Sequence, residues 1–220
     1  MGPTNRRERE KEALRTQILD AARYLFARDG YDAVTMRAIA ERIEYSPRTI
    51  YLHFQDKEDL VRELCRHDFQ VFGAELAKAG QVKSPLARIK AMGRGYAAFG
   101  LQNPNHYRLM FMSDSPDYEG KGEEEWKDNP EVDAYALLRD TVQQAIDQGL
   151  MAPAYTDAEL VAQTVWAGIH GVVALALAKE GDPWVDWRPI AARVEAMSDA
   201  IVDGLSAGAA APARSARKGR

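Results

Sequence analysis

Residues Thr35 to Lys57 constrain this chain more than any other stretch. They read as two short helices joined by a three-residue turn, followed by the start of a third. Met36, Ile39, Ala40 and Ile43 recur at the three- and four-residue spacing of one helical face. Helix propensity then breaks at Glu44, Tyr45 and Ser46. Ser46 can cap the next helix through its hydroxyl, and Pro47 suits a first helical position, where the N–H it lacks has no partner. The second helix keeps Ile50 and Phe54 apolar on one face, which leaves Pro47, Arg48, Thr49, Tyr51 and His53 outward. The pattern is a helix-turn-helix whose second helix suits a DNA major groove.

Thr35, Arg37, Ile39, Ala40, Ser46, Thr49-Ile50-Tyr51, His53-Phe54 and Lys57 resemble the recurring residues of the DNA-binding domain of the tetracycline-repressor (TetR) family in type and spacing. The resemblance implies an all-α fold of about nine helices. A three-helix helix-turn-helix domain comes first and a helical domain for ligand binding and dimerisation follows. One departure stands out: the family usually has glycine where this chain has Glu44. Glutamate disfavours a left-handed backbone, so a tighter turn or a slightly longer helix is expected there. Further on, Trp166-Ala-Gly-Ile-His170-Gly171 and Asn103-Pro-Asn-His-Tyr107-Arg-Leu-Met-Phe111 resemble the TetR subgroup whose C-terminal domain carries a Trp-His-Gly (WHG) signature. That likeness runs from about Ser84 to Leu205.

Bulk charge does not carry the nucleic-acid reading. The net charge is −4; residues 1–66 hold 13 basic and 12 acidic side chains, and the rest 16 and 21. Affinity must come from a few cations placed against phosphates and doubled by dimerisation. A single cysteine, Cys65, excludes an internal disulfide framework, fits a reducing cytoplasm and lies at helical spacing with Val61, Leu64 and Phe69, as a core residue would. No apolar segment follows the charged start, so no signal peptide is expected.

Helix punctuation divides the rest. Gly30 ends the first helix, whose inner face is Leu14, Ile18, Ala21, Ala22, Leu25 and Phe26; Asp56 caps a helix running through Leu60, Leu64, Val71 and Leu76 to Gly80. Ser84-Pro85 and Asn129-Pro130 read as caps with proline in the first turn, and Asn103-Pro104 as a break. Thr156 and Glu159 have capping-box spacing, and Gly149 and Gly181 end later helices. Ser113 to Asn129 is expected to be an acidic loop. The expected domains are 1–56 for DNA binding with its N-terminal arm, 57–206 for effector binding and dimerisation, and a disordered basic tail over 207–220, solvated or weakly drawn to phosphate.

Roles follow residue by residue. Thr35 caps its helix, either as a cap alone or with its hydroxyl on a phosphate as well, and Arg37 is equally a bidentate contact to guanine or a solvated arginine. Ser46, Pro47, Arg48 and Thr49 form the end of the recognition helix that reaches base edges. The resemblance places Tyr51 and His53 on the DNA backbone, and Lys57 at the next helix start towards phosphate. Arg6, Arg7, Arg9, Lys11 and Arg15 form an arm that could enter a minor groove, but Glu8, Glu10 and Glu12 cancel much of its charge. A frayed, solvated start is expected without DNA.

Leu160 to Ala178 holds only Gln163, Thr164 and His170 as polar side chains and ends in Lys179-Glu180. It is near the minimum length for a membrane span, and a buried helix of a soluble protein fits better. A helix apolar all round must be covered all round. Ala167, Gly171, Ala174 and Ala178 form a small-residue stripe, and the last helix offers Ile190, Val194, Met197, Ile201 and Leu205. With their copies these two helices would build a homodimeric four-helix bundle, as in the family regulators that this chain resembles.

An effector pocket is expected among Phe72, Met92, Tyr96, Phe99, Tyr107, Phe111, Leu138 and Trp166, with His170 as a polar handle, for a small apolar or aromatic molecule. Trp166 and His170 equally fit a packed tryptophan beside a hydrogen-bonded histidine. His53, His67, His106 and His170 are scattered, with no metal-ligand spacing and no phosphate loop, so neither catalysis nor a cofactor is expected. The expectation is a cytoplasmic repressor on a palindromic double-stranded operator. The rival is a constitutive regulator without an effector.

Overall fold

The computed structural model describes residues 3–112, 128–129 and 133–208. Apart from one antiparallel bridge, Met151 to Ser206, the described residues hold helices and no strand. The helices are α1 (Pro3–Asp29), α2 (Met36–Arg42), α3 (Pro47–Tyr51), α4 (Lys57–Ala77), α5 (Pro85–Gln102), α6 (Pro104–Met112), α7 (Ala134–Asp147), α8 (Ala158–Lys179) and α9 (Ile190–Leu205). The all-α expectation holds. The acidic loop beyond Met112, up to Lys127, lies outside the described residues, as does the tail beyond Gly208.

Two compact units compose the chain: residues 1–75 with 98–127, and residues 76–97 with 128–220. The divisions fall inside α4 and α5. In the first unit, Ile18, Ala22, Phe26, Ile39, Ile50, Phe54, Leu60 and Leu64 form a buried cluster joined by Cys65 and by Leu109 of α6. Hydrophobic burial therefore ties the helix-turn-helix to α1, α4 and α6. α1 extends back to Pro3, with Arg6 paired to Glu10 at 2.7 Å, so the expected frayed start is helical. The Val71 position expected inside α4 is 41% exposed; Asp68 and Phe72 share the inner face instead.

Local hydrogen bonds set the helix ends. Thr35 accepts from the Ala38 N–H and Ser46 from the Thr49 N–H, with Pro47 at the first position of α3. Asp56 accepts from the Asp59 N–H at 2.7 Å. Two expected starts move: α7 is capped by Asp133 rather than Asn129, and α8 by Asp157 rather than Thr156. In both, one carboxylate oxygen takes two N–H groups of the first turn, where its charge also favours the helix start. α4 stops at Ala77 before a 3-10 turn over Lys78–Gln81, short of the expected Gly80.

The Glu44 expectation is overturned. Neither a tighter turn nor a longer helix forms: Glu44 takes φ 60°, the left-handed conformation glycine would supply. The Tyr45 N–H reaches the Ala40 carbonyl at 3.0 Å and the Glu44 N–H the Glu41 carbonyl at 3.2 Å, a Schellman end to α2. Gly149 does the same after α7, with φ 67° and Leu150 bonded to the Ala145 carbonyl.

In the second unit α8 packs against α7 and α9. Val161, Ala162, Val165, Ile169, Val172, Val173 and Ala176 are its buried face. Leu160, Trp166, Ala167 and Leu175 stay exposed. By length and composition α8 could cross a membrane, yet its buried face is spent on neighbouring helices. The contact face expected of α9 is corrected too. Val194 and Leu205 are buried inside the unit with Ser198 and Val202, so they are closed to a second copy. Ala192, Ala196, Ala200 and Gly204 point outward in their place. α8 and α9 approach so closely at Gly168 that an added Cβ would lie 2.2 Å from Ile201 Cδ1, whereas Gly171 meets nothing within 4 Å.

Candidate nucleic-acid interface

The residues expected to meet DNA lie on α2, on α3, at their flanks and at the start of α4, all in the first unit. Arg37, Ser46, Pro47, Arg48 and Tyr51 are exposed and Thr49 is half-buried, while Ile50 and Phe54 anchor α3 from below with 0% and 1% exposure. Ser46 Oγ lies 2.9 Å from Thr49 Oγ1, so the two hydroxyls stiffen the start of the recognition helix. The Thr35 hydroxyl accepts as a cap, and a hydroxyl that accepts still has its own O–H to donate. Arg37 Nε sits 2.9 Å from Glu41 Oε1 in an exposed pair, worth only about 0.3–0.5 kcal/mol and easily exchanged for a base or phosphate.

Two expected contacts carry structural duties as well. The Lys57 ammonium donates to the Tyr31 and Val34 carbonyls at 2.9 and 3.1 Å and lies 3.9 Å from the Tyr31 ring centre. Two of its three N–H groups are held inside the protein, which leaves one for a partner outside it. His53 is half-buried, and its Nδ1 is buried without a hydrogen-bond partner. Burial, with the charges of Lys11 and Arg15, pushes the His53 imidazolium below its usual pKa. His53 therefore favours the neutral form, a hydrogen-bonding group more than a cation.

Sequence reasoning missed the charges buried inside this unit. Asp68 on α4 is 0% exposed and Arg23 on α1 is 5%. His106 Nδ1 of α6 lies 3.0 Å from Asp68 Oδ1, and His67 Nδ1 3.6 Å. Burial works to raise the Asp68 carboxyl, but the adjacent His106 ring and the Arg23 hydrogen bonds outweigh it and hold it below the usual carboxylate range. The signal was present: Arg23 and Asp68 both fall among apolar residues on inner helical faces. Arg15 was also underread, since its guanidinium lies 4.5 Å over the Phe54 ring and donates to the His53 carbonyl.

The residues expected to hold an effector fall into two groups. In the first unit Phe72 packs at a tilt against Phe99 at 5.1 Å and edge-on to Phe111 at 5.4 Å, and Tyr107 lies 5.1 Å from Phe111. In the second unit Trp166 Nε1 donates to the Tyr96 hydroxyl at 3.1 Å, and that hydroxyl lies 3.1 Å from His170 Nδ1. The packed reading of Trp166 and His170 thus has a concrete form, a tyrosine hydroxyl joining both. Burial pushes His170 below its usual pKa. Tyr135 extends the cluster, with its ring 6.1 Å from Trp166 and its hydroxyl on Glu159. Met92 and Leu138 are buried in the same unit. A cleft there, lined by Ile89, Gly93, Val165, Ile169 and Ser198, encloses about 10 Å³, room for one water and not for an effector.

Comparison with known proteins decides the family. Residues 18–64 match a sequence profile described as bacterial regulatory proteins, tetR family, and residues 89–205 one described as tetracyclin repressor-like, C-terminal domain. This chain belongs to the TetR family. The Trp-His-Gly subgroup is consistent with the second match. The TetR assignment has neighbours in sequence and in structure. The HTH-type transcriptional repressor Rv1474c of Mycobacterium tuberculosis is 40% identical over 70 residues, 32% of this chain and 37% of that protein. Matches to the first such relatives therefore span only about a third of their length. A Rhodococcus sp. RHA1 protein of unknown function is 25% identical with a TM-score of 0.67, covering 88% of this chain and 95% of its own. A TetR family transcription regulator from Marinobacter aquaeolei VT8 shares the fold at a TM-score of 0.69 and 21% identity, over 92% and 98% of the two chains.

Proposed function

We propose that this chain is a DNA-binding transcriptional repressor that acts as a homodimer on a palindromic operator. The observation that carries it is α3: capped by Ser46, anchored by Ile50 and Phe54, and with Arg48 exposed, as is Arg37 of α2. One such helix on a weakly charged head binds poorly; two, related by a two-fold axis, read half-sites about one helical turn apart. The repressor names of the sequence relatives support the same reading. Among the described residues no group of three or more potential ligands for a metal comes together, and the reading assigns no catalysis.

The exposed faces of α8 and α9 are the proposed dimer contact, through Leu160, Trp166, Ala167 and Leu175 with the Ala192, Ala196 and Ala200 stripe. Covering them accounts for an apolar helix in a cytoplasmic protein without a bilayer. The effector is proposed to be small and apolar or aromatic, with Phe72, Phe99, Tyr107 and Phe111, or Met92, Tyr96, Leu138, Trp166 and His170, as its contacts. Effector and operator then oppose each other by linkage, and nearly complete reversal needs about 5.5 kcal/mol of differential affinity. Selection of bound duplexes from a random pool tests the main claim. A palindromic consensus bound by a dimer is expected; no enrichment, or a monomer, overturns it.

A further inference from the structure

Leu52 is 73% exposed, although Ile50 and Phe54, two residues to either side, are buried. It follows α3 directly and keeps right-handed helical backbone, φ −77° and ψ −15°, so the helical register extends to it. Four residues earlier stands Arg48, also exposed. Side chains four apart share a helical face, with Cβ atoms about 5–6 Å apart. The outward face of the recognition helix thus carries one cation and one aliphatic group, a turn apart.

An aliphatic side chain can neither donate nor accept a hydrogen bond, so it cannot read the polar edges of the bases. The major groove presents one apolar group, the thymine 5-methyl, while an arginine fork fits guanine O6 and N7. We propose that Leu52 is a specificity-determining residue that packs on a thymine 5-methyl in each half-site, beside a guanine read by Arg48. The spacing on the helix, against a rise of about 3.4 Å per base pair, puts the two bases one or two pairs apart. The inference rests on the DNA-binding reading above.

The test uses the full chain and the duplex selected from the random pool. Each thymine is replaced in turn by deoxyuridine, which removes the methyl and nothing else. At one thymine per half-site the wild-type affinity should fall about fourfold, the burial of one methyl, and about fifteenfold when both half-sites are changed. Leu52→Ala should bind thymine and uracil duplexes alike while keeping its guanine preference, and Leu52→Met should restore the difference. Position 52 is exposed, so none of these variants threatens the fold. A uracil scan that is flat, or equal in wild type and Leu52→Ala, overturns the proposal and leaves DNA binding standing. A pool from which nothing is enriched removes the DNA-binding reading and this one together.

Discussion

The Arg23 guanidinium straddles the Asp68 carboxylate, with Nε 2.9 Å from Oδ2 and Nη2 2.8 Å from Oδ1, and neither side chain is appreciably exposed. α1 and α4 are joined there by a fork that leaves both oxygens occupied. Two charges taken out of water stabilise little as a pair, but either alone costs much. Asp68→Ala should therefore lower unfolding stability by about 3–5 kcal/mol, whereas Arg23→Met with Asp68→Leu should recover most of it. Urea midpoints followed by circular dichroism check this, and a single-variant loss under about 1 kcal/mol would refute the buried-pair account.

Acid should act through the same residue. The Asp68 carboxyl is held low in the folded chain, so its contribution is present above the unfolded value near pH 4 and is lost as pH falls through the folded one. The melting-temperature gap between wild type and Asp68→Asn should narrow between pH 7 and pH 3. His170 adds a milder effect of the same sign. Its lowered value costs stability as pH drops below about 6.5, and His170→Gln should flatten that slope. A constant gap across the range contradicts the Asp68 assignment.

Glu44 sits in a conformation that costs a side-chain-bearing residue about 1–2 kcal/mol. Glycine removes that strain while adding about 0.4–1 kcal/mol of unfolded-chain entropy to lose. Glu44→Gly should raise stability by up to about 1 kcal/mol, and Glu44→Val, β-branched, should lower it by more than that. Thermal melts of the two variants moving in the same direction would count against the left-handed geometry.

Two glycines of α8 should respond oppositely. At Gly168 an alanine methyl meets Ile201, and overpacking of this kind costs about 1–3 kcal/mol. Gly171 faces open space within the chain, and alanine there gains up to about 1 kcal/mol of helix propensity. If Gly171→Ala weakens self-association in sedimentation while leaving the helical signal intact, the α8 dimer face is supported. Unchanged association would argue for a different contact.

Arg48 and Lys57 should separate base reading from scaffolding. Arg48→Ala should flatten the preference for the selected operator over scrambled duplex, because a bidentate base contact is worth about 1–3 kcal/mol. Lys57→Ala should weaken both duplexes about equally and also lower the melting temperature, since its ammonium holds the Tyr31 and Val34 carbonyls. Equal losses on both duplexes for Arg48→Ala would deny it a base-reading role.

Short-range features were the readable ones. The caps at Thr35, Ser46 and Asp56 are hydrogen bonds between residues three apart, and Gly30 and Gly149 stop helices by their own backbone freedom. The Arg23–Asp68 fork spans 45 residues and the Gly168–Ile201 approach 33, so neither appears in local spacing. Glu44 misled because intrinsic preference lost to the two hydrogen bonds that close α2. The aromatic residues stand out by type, but type cannot tell that Phe72 keeps company with Phe99 while Trp166 keeps company with Tyr96.

Leu109 and His106 bring α6 into the same core and the same ionic site as α1 and α4. A hybrid regulator that borrowed only the first 56 residues would strand Arg23 opposite a foreign α4 and leave a hole where Leu109 belongs. Recombination between such proteins, in nature or on the bench, should succeed when the crossover carries helices from both sides of the splice, so the exchangeable cassette is interrupted in the gene even though it is whole in space.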